Sequence, residues 1–112
     1  MPDKHDSTIS ADADLVTLIT VFTCADVHQE ALVEALNLAT TEVFVRVPGF
    51  ISANIHASAD RSRVVYYAQW ADTRSYEAML HLPEAQKHMD EIMCLVESAD
   101  PRLFTVRAVH HV

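Results

Sequence analysis

Apolar residues cluster along this 112-residue chain in four short stretches that are typical of β-strands, at residues 15–23, 50–58, 63–70 and 103–110. The most informative stretch is 63–70, which is rich in β-branched and aromatic side chains. Side chains alternate across a strand, so bulky residues fall on both of its faces. One face holds Val64, Tyr66, Ala68 and Trp70, and the other holds Val65, Tyr67 and Gln69. We expect both faces to be covered.

A long helix is predicted between the first two strands, over residues 26–45. Asp26 and Gln29 fit a capping box at its start, and Pro48-Gly49 ends it. Apolar residues recur on it at helical spacing. This predicted buried stripe consists of Leu32, Ala35, Leu36, Ala39 and Val43.

A second helical region is predicted after residue 70, with Asp72 as its cap. Pro83 interrupts it, because proline suits the first turn of a helix and excludes helical backbone at the residue before it. The sequence therefore predicts a short helix over 73–81 and a longer one over 83–98. Asp100-Pro101 is expected to turn the chain into the last strand.

The resulting order is strand, helix, strand, strand, helix, strand, which predicts an α+β, ferredoxin-like βαββαβ sandwich with a four-stranded antiparallel sheet. Two helices cover only one face of such a sheet. A second copy is the simplest cover for the other face, so we expect a sheet-to-sheet homodimer. Val65, Tyr67 and Gln69 would then face the partner, while Tyr66 and Trp70 would face the helices.

Composition excludes several classes of function. The formal net charge is −8 and no cluster of Lys or Arg occurs, which argues against nucleic acid or an anionic membrane as a partner. No apolar run is long enough for a transmembrane helix. We expect a disordered polar leader at residues 1–13, one domain over 14–112 and a cytoplasmic protein. Cys24 and Cys94 are expected to be free thiols.

No strong catalytic motif is present, whether GxGxxG, P-loop, HExxH, GxSxG or CxxC. His110 and His111 point to opposite faces of a strand and cannot chelate one ion, so no metal is expected. His88, on the long helix, is the best placed His for acid–base chemistry, although a surface position fits it as well. Trp70, Tyr66 and Tyr76 fit a pocket for a flat aromatic ligand and equally fit a core.

Four segments of this sequence resemble the antibiotic biosynthesis monooxygenase family, and the similarity extends over about residues 15–109. The segments are Pro48-Gly49-Phe50-Ile51-Ser52-Ala53-Asn54-Ile55-His56, Tyr67-Ala68-Gln69-Trp70, Tyr76-Glu77-Ala78-Met79 and Pro83-Glu84-Ala85. The resemblance implies a dimeric α/β barrel and, nearest to it, anthrone oxygenases of aromatic polyketide pathways. It implies a cofactor-independent monooxygenase that oxidises a small aromatic substrate with dioxygen.

The resemblance also implies functional residues. Trp70 and Tyr76 match catalytic positions of the anthrone oxygenases. Tyr66 stands where those enzymes have Asn, and Met89 falls near their Arg, so two of four positions differ.

A haem-binding, haem-degrading branch of the superfamily gives an alternative. His88 falls where those proteins place their haem ligand, but Thr20 and Met79 replace their Asn and Trp. The residues expected to contact a ligand are thus Tyr66, His88, Met89 and Thr20. A third reading is a non-catalytic dimeric module that binds a small ligand.

Overall fold

Four strands and three helices make up the part of the chain that the computed structural model describes, which is residues 5–11 and 13–112. In chain order they are β1 Val16–Thr23, α1 Gln29–Glu42, β2 Phe50–Ala57, β3 Arg63–Trp70, α2 Thr73–Leu80, α3 Pro83–Met93 and β4 Ser98–Phe104. Single 3₁₀ turns, Asp26–His28 and Phe44–Arg46, flank α1.

The strands form one antiparallel sheet in the order β2-β3-β1-β4, which confirms the predicted ferredoxin-like α+β fold. The face of β3 that carries Val64, Tyr66, Ala68 and Trp70 is buried, as is the apolar stripe of α1 apart from Ala35, which is half-buried. These residues belong to one core cluster, which therefore lies between the sheet and the helices. The central pair of strands aligns Thr20 opposite Tyr66, so β1 and β3 both contribute to the inner face.

The start of α1 differs from the predicted capping box. Asp26 lies in the preceding 3₁₀ turn, and His28 occupies the cap position without a side-chain hydrogen bond. Gln29 instead turns inward and is 6% exposed. Its Nε2 donates to the carbonyl oxygens of Ser58 and Arg63, each at 3.0 Å, at the β2–β3 hairpin. Gln29 thus ties α1 to the sheet rather than capping its own helix.

The predicted ends of α3 and β4 were wrong by about five residues. The helix ends at Met93 instead of residue 98, and β4 begins at Ser98 instead of residue 103. Pro101, expected in a turn, lies within β4 opposite Thr20. β4 is an edge strand that is hydrogen-bonded only to β1. A proline is acceptable there because it has no N–H to donate and there is no strand on its other side that would need one.

The chain passes from β3 into α2 close to the turn that opens β2. Gly49 has φ +93°, a conformation that favours glycine, and its carbonyl accepts from the backbone N–H of Ala71 at 2.7 Å. A Cβ at Gly49 would overlap the side chain of Ser75 in the first turn of α2. Asp72 caps that helix, as predicted, by accepting from the Ser75 N–H at 2.7 Å.

The outer face of the sheet is partly covered by residues 5–11, which form no helix or strand. Ser7 donates to Asn54 Oδ1 at 2.9 Å, and Gln69 Nε2 donates to the Thr8 carbonyl at 2.9 Å. Gln69, expected to face a partner, is therefore covered by its own chain and is 3% exposed. Residues 1–4 and 12 of the predicted disordered leader lie outside the described residues.

Among the described residues, no helix is both long and apolar enough to cross a lipid bilayer.

Candidate active site

A cavity of about 220 Å³ lies between the inner face of the sheet and the three helices. Aliphatic, aromatic and methionine side chains form most of its wall. The lining residues are Leu18, Thr20, Phe22, Leu36, Phe44, Tyr66, Trp70, Tyr76, Met79, Leu80, Met89, Ile92, Met93, Ala99 and Pro101. Such a wall, with a few polar groups set into it, is typical of a site for a small, largely apolar ligand.

Trp70, at the end of β3, is held by two aromatic neighbours. The Phe50 ring meets it edge to face, with centroids 5.3 Å apart, and the Tyr76 ring lies 6.1 Å away at an interplanar angle of 59°. The indole is 1% exposed, and its Nε1–H is buried with no hydrogen-bond partner. An unpaired buried donor is costly, so an acceptor supplied by a ligand would relieve it.

Tyr76 reaches the cavity from the first turns of α2 and is half-buried. Burial raises the pKa of its hydroxyl above the ordinary value of 10.0. The hydroxyl therefore stays protonated near neutral pH and can donate a hydrogen bond beside the Trp70 indole.

Tyr66 contributes a hydroxyl from the middle of β3. Its Oη lies 2.5 Å from Thr40 Oγ1 on α1, and Thr40 in turn donates to the Leu36 carbonyl at 2.8 Å. Burial raises the pKa of Tyr66 to about 12, although the Thr40 hydrogen bond acts in the opposite direction. Tyr66 is therefore neutral over the physiological range. The Phe44 and Tyr66 rings pack in a T-shaped arrangement, with centroids 6.4 Å apart.

The structure brings five of the six sequence-predicted site residues together. Trp70, Tyr76, Tyr66, Met89 and Thr20 all line the cavity.

The exception is His88, which does not line this cavity. Its Nε2 lies 3.4 Å from Glu42 Oε2, in a separate depression of about 310 Å³ lined mainly by charged side chains from the end of α1, the following 3₁₀ turn and α3. Met89, one residue later, points to the cavity because neighbouring helical positions are about 100° apart. His88 therefore sits on a different face of α3 from the ligand-facing residues.

Two groups of functional interest were missed from the sequence. Thr40 was not singled out, although it follows Leu32 and Leu36 at four-residue spacing and so continues the buried stripe of α1. Pro101 and Ala99 were placed outside any strand, whereas both face the cavity from β4. Met93 lines the cavity but is 52% exposed, so it lies at the rim.

The lining residues include no Asp, Glu, His, Lys or Arg, so no charged group of the described chain contacts the cavity. Within residues 5–11 and 13–112, no three His, Cys, Asp or Glu side chains converge as a possible metal site. The polar side-chain groups that the lining residues carry are one indole N–H and the hydroxyls of Thr20, Tyr66 and Tyr76. The site can therefore bind a neutral aromatic molecule and stabilise negative charge on it through hydrogen bonds.

Comparison with known proteins identifies the family of the chain. Residues 15–91 match the family described as antibiotic biosynthesis monooxygenase. A tetracenomycin-F1 monooxygenase of Streptomyces glaucescens is 40% identical over 84 residues, which is 75% of each chain. A monooxygenase of Streptomyces coelicolor, ActVA-Orf6, solved in complex with nanaomycin D, superposes with a TM-score of 0.80 at 26% identity, over 88% of this chain and 92% of that one. SnoaB, a cofactor-independent oxygenase of Streptomyces nogalater, superposes with a TM-score of 0.71 at 26% identity, over 87% of this chain and 97% of that one.

Proposed function

The chain belongs to the antibiotic biosynthesis monooxygenase family and is a monooxygenase; from this premise we propose that it oxidises a fused-ring, anthrone-like aromatic substrate of polyketide type with dioxygen and without a cofactor. The observation that carries the proposal is an apolar cavity whose wall includes Trp70, with its buried and unpaired Nε1–H, beside Tyr76. The names of the S. glaucescens and S. nogalater relatives support it, because one acts on tetracenomycin F1 and the other is cofactor-independent.

The redox balance of this reaction needs no further reagent. An anthrone carries an acidic CH₂ beside its aromatic ketone. Loss of one proton gives a delocalised carbanion, which can transfer an electron to dioxygen and then combine with it. The resulting hydroperoxide loses water to leave a carbonyl. The CH₂ group thus gives up four electrons, one oxygen atom enters the product and the other leaves as water, so the substrate itself is the reductant.

The residues of the cavity have distinct roles in this proposal. The Trp70 N–H and the Tyr76 O–H donate to the substrate oxygen on which negative charge develops, which makes the CH₂ proton more acidic. The apolar wall binds the rings and excludes water. Since no charged side chain of the described residues lines the cavity, the proton passes to water at its mouth. The three methionines, Met79, Met89 and Met93, are flexible and let a cavity of about 220 Å³ adapt to a fused-ring ligand.

We also propose that the protein acts as a sheet-to-sheet homodimer in the cytoplasm. Val65 and Tyr67 on the outer face are only half-buried, and Phe104 at the edge of that face is 45% exposed. Residues 7 and 8 cover only the part of the face near Asn54 and Gln69. A mass of one chain by light scattering at micromolar concentration would contradict the dimer.

The monooxygenase proposal is tested by oxygen uptake with an anthrone substrate, without added cofactor and after treatment with a chelator. The spontaneous rate without protein is subtracted. Trp70→Phe keeps a ring but removes the donor, and we expect a loss of roughly 100-fold or more in kcat. Tyr76→Phe should lose roughly 10-fold or more for the same reason.

Tyr67→Phe is the matched control, because it removes a tyrosine hydroxyl from the outer face of the same sheet. It should leave oxygen uptake unchanged. If Trp70→Phe and Tyr76→Phe are as active as the wild type, the proposed role of the cavity is wrong.

A further inference from the structure

The hydrogen bonds around Tyr66 fix which way its hydroxyl proton points. A threonine hydroxyl has a single hydrogen, and that of Thr40 is donated to the Leu36 carbonyl at 2.8 Å. The contact of 2.5 Å between Thr40 Oγ1 and Tyr66 Oη has a geometry that suits either donor, and with the Thr40 hydrogen directed at Leu36 we assign Tyr66 as the donor. Its only proton is directed at α1, and only its lone pairs remain for a ligand.

This direction matters because Tyr66 lines the cavity and is 4% exposed, so solvent does not compete for its oxygen. The other polar groups of the wall include a pure donor, the Trp70 N–H, and the Tyr76 O–H, which donates in the proposed reaction. The site therefore presents donors at one place and an acceptor at another. A ligand matches it only if it carries an acceptor for Trp70 and a hydrogen-bond donor for Tyr66.

We propose that Thr40 is a positioning residue that holds Tyr66 as a hydrogen-bond acceptor, so that the cavity selects aromatic ligands with a free phenolic hydroxyl over their methyl ethers. This inference rests on the proposed function, because it concerns the same cavity. A methyl ether has no hydrogen to donate, and it would leave the buried Tyr66 oxygen facing another oxygen lone pair.

Binding can be measured without turnover by using quinones, which lack the oxidisable CH₂ group. The chain has one tryptophan, Trp70, and it lies on the cavity wall, so quenching of its fluorescence reports occupancy directly. The two probes are 2-hydroxyanthraquinone and 2-methoxyanthraquinone. For the wild type we expect the hydroxy compound to bind roughly 10-fold more tightly, as is typical when one buried hydrogen bond is lost.

Two variants show whether the preference between the quinones comes from the direction of the Tyr66 proton or from the shape of the side chains. Thr40→Val keeps the shape of the side chain but removes the acceptor, so the Tyr66 proton is free to point at a ligand. We expect the methoxy compound to gain affinity and the ratio to fall towards one. Tyr66→Phe should also lower the ratio, but here the hydroxy compound loses affinity because its acceptor is gone. Circular dichroism at 222 nm checks that each variant is folded.

Thr40→Ser and Thr41→Val are the controls. Serine keeps the hydroxyl at position 40 and should keep the wild-type ratio. Thr41, the exposed neighbour, donates to the Asn37 carbonyl in the same manner, so its replacement tests the loss of a helical threonine away from the cavity.

Equal affinity of the two quinones for the wild type, or an unchanged ratio in folded Thr40→Val, would overturn the inference and leave the proposed function intact. If neither quinone quenches Trp70, the proposed function itself fails and this inference with it.

Discussion

The ring of Phe50 packs edge to face on the indole of Trp70, with centroids 5.3 Å apart and planes at 84°. Phe50 is the first residue of β2 and directly precedes a bulge. It is paired with Trp70 on the neighbouring strand, β3. Replacing Phe50 with Leu removes this aromatic contact and should lower the free energy of unfolding by about 1 kcal/mol. Urea denaturation measures the change, and oxygen uptake should fall with it because the indole is less firmly held.

Ile51→Val is the control for that substitution, since Ile51 is the adjacent residue and is 49% exposed. It should leave both stability and oxygen uptake unchanged. A Phe50→Leu protein as stable and active as the wild type would show that Phe50 has no role in holding Trp70.

Gln29 offers a test of the link between α1 and the β2–β3 hairpin. Gln29→Glu would place a carboxylate against the carbonyls of Ser58 and Arg63, which now accept from the Gln29 amide. We expect a loss of roughly 3 kcal/mol at pH 7, because a buried charge faces two acceptors.

The loss at Gln29→Glu should shrink as the pH falls. The new carboxyl has a folded-state pKa raised above the unfolded value, so its neutral form is favoured in the folded protein and the penalty grows as the pH rises. Urea midpoints between pH 4 and 7, compared with those of the wild type, measure this. Glu30→Gln, at the exposed neighbouring position, should show no such trend.

Tyr66 should titrate well above the ordinary tyrosine value of 10.0. Its pKa is raised to about 12 by burial, so in a spectrophotometric titration at 295 nm one of the three tyrosines should ionise only near that value. The ordinary value of 10.0 applies to the unfolded chain, so the neutral phenol stabilises the folded protein below pH 10. That contribution is lost as the pH rises from 10 towards 12, and Tyr66→Phe should remove this part of the alkaline destabilisation.

His88 should have little effect on the reaction. Because its side chain pairs with Glu42 outside the cavity, His88→Ala should change oxygen uptake less than twofold. Haemin added to the wild type should give no saturable Soret shift that depends on His88. A saturable shift abolished by His88→Ala would support the haem-binding alternative instead.

The fold was predictable wherever a local pattern decided the structure. The period-two pattern of β3 and the helical stripe of α1 placed Tyr66 and Trp70 on the inner face, where the structure has them. Pro101 was misread because a proline more often marks a turn, and only the edge position of β4 makes it acceptable within a strand.

The details of the site depended on contacts that no local pattern specifies. The role of Thr40 follows from its pairing with Tyr66, 26 residues away on another element. Gln29 has a suitable side chain for a capping box, and only the position of the hairpin shows that it binds the sheet instead. Residue spacing alone did not show whether His88 faces the cavity. That depends on how α3 packs against the rest of the fold.

The exposed thiol of Cys94 gives the protein a natural attachment point for a spectroscopic probe. The chain has two cysteines, and both are free. Cys24 is buried, and burial raises its thiol pKa, so it reacts slowly. Cys94 directly follows Met93, which lies at the cavity rim. A dye on Cys94 that accepts energy from Trp70 would therefore report movement of the end of α3 relative to β3 while a substrate enters.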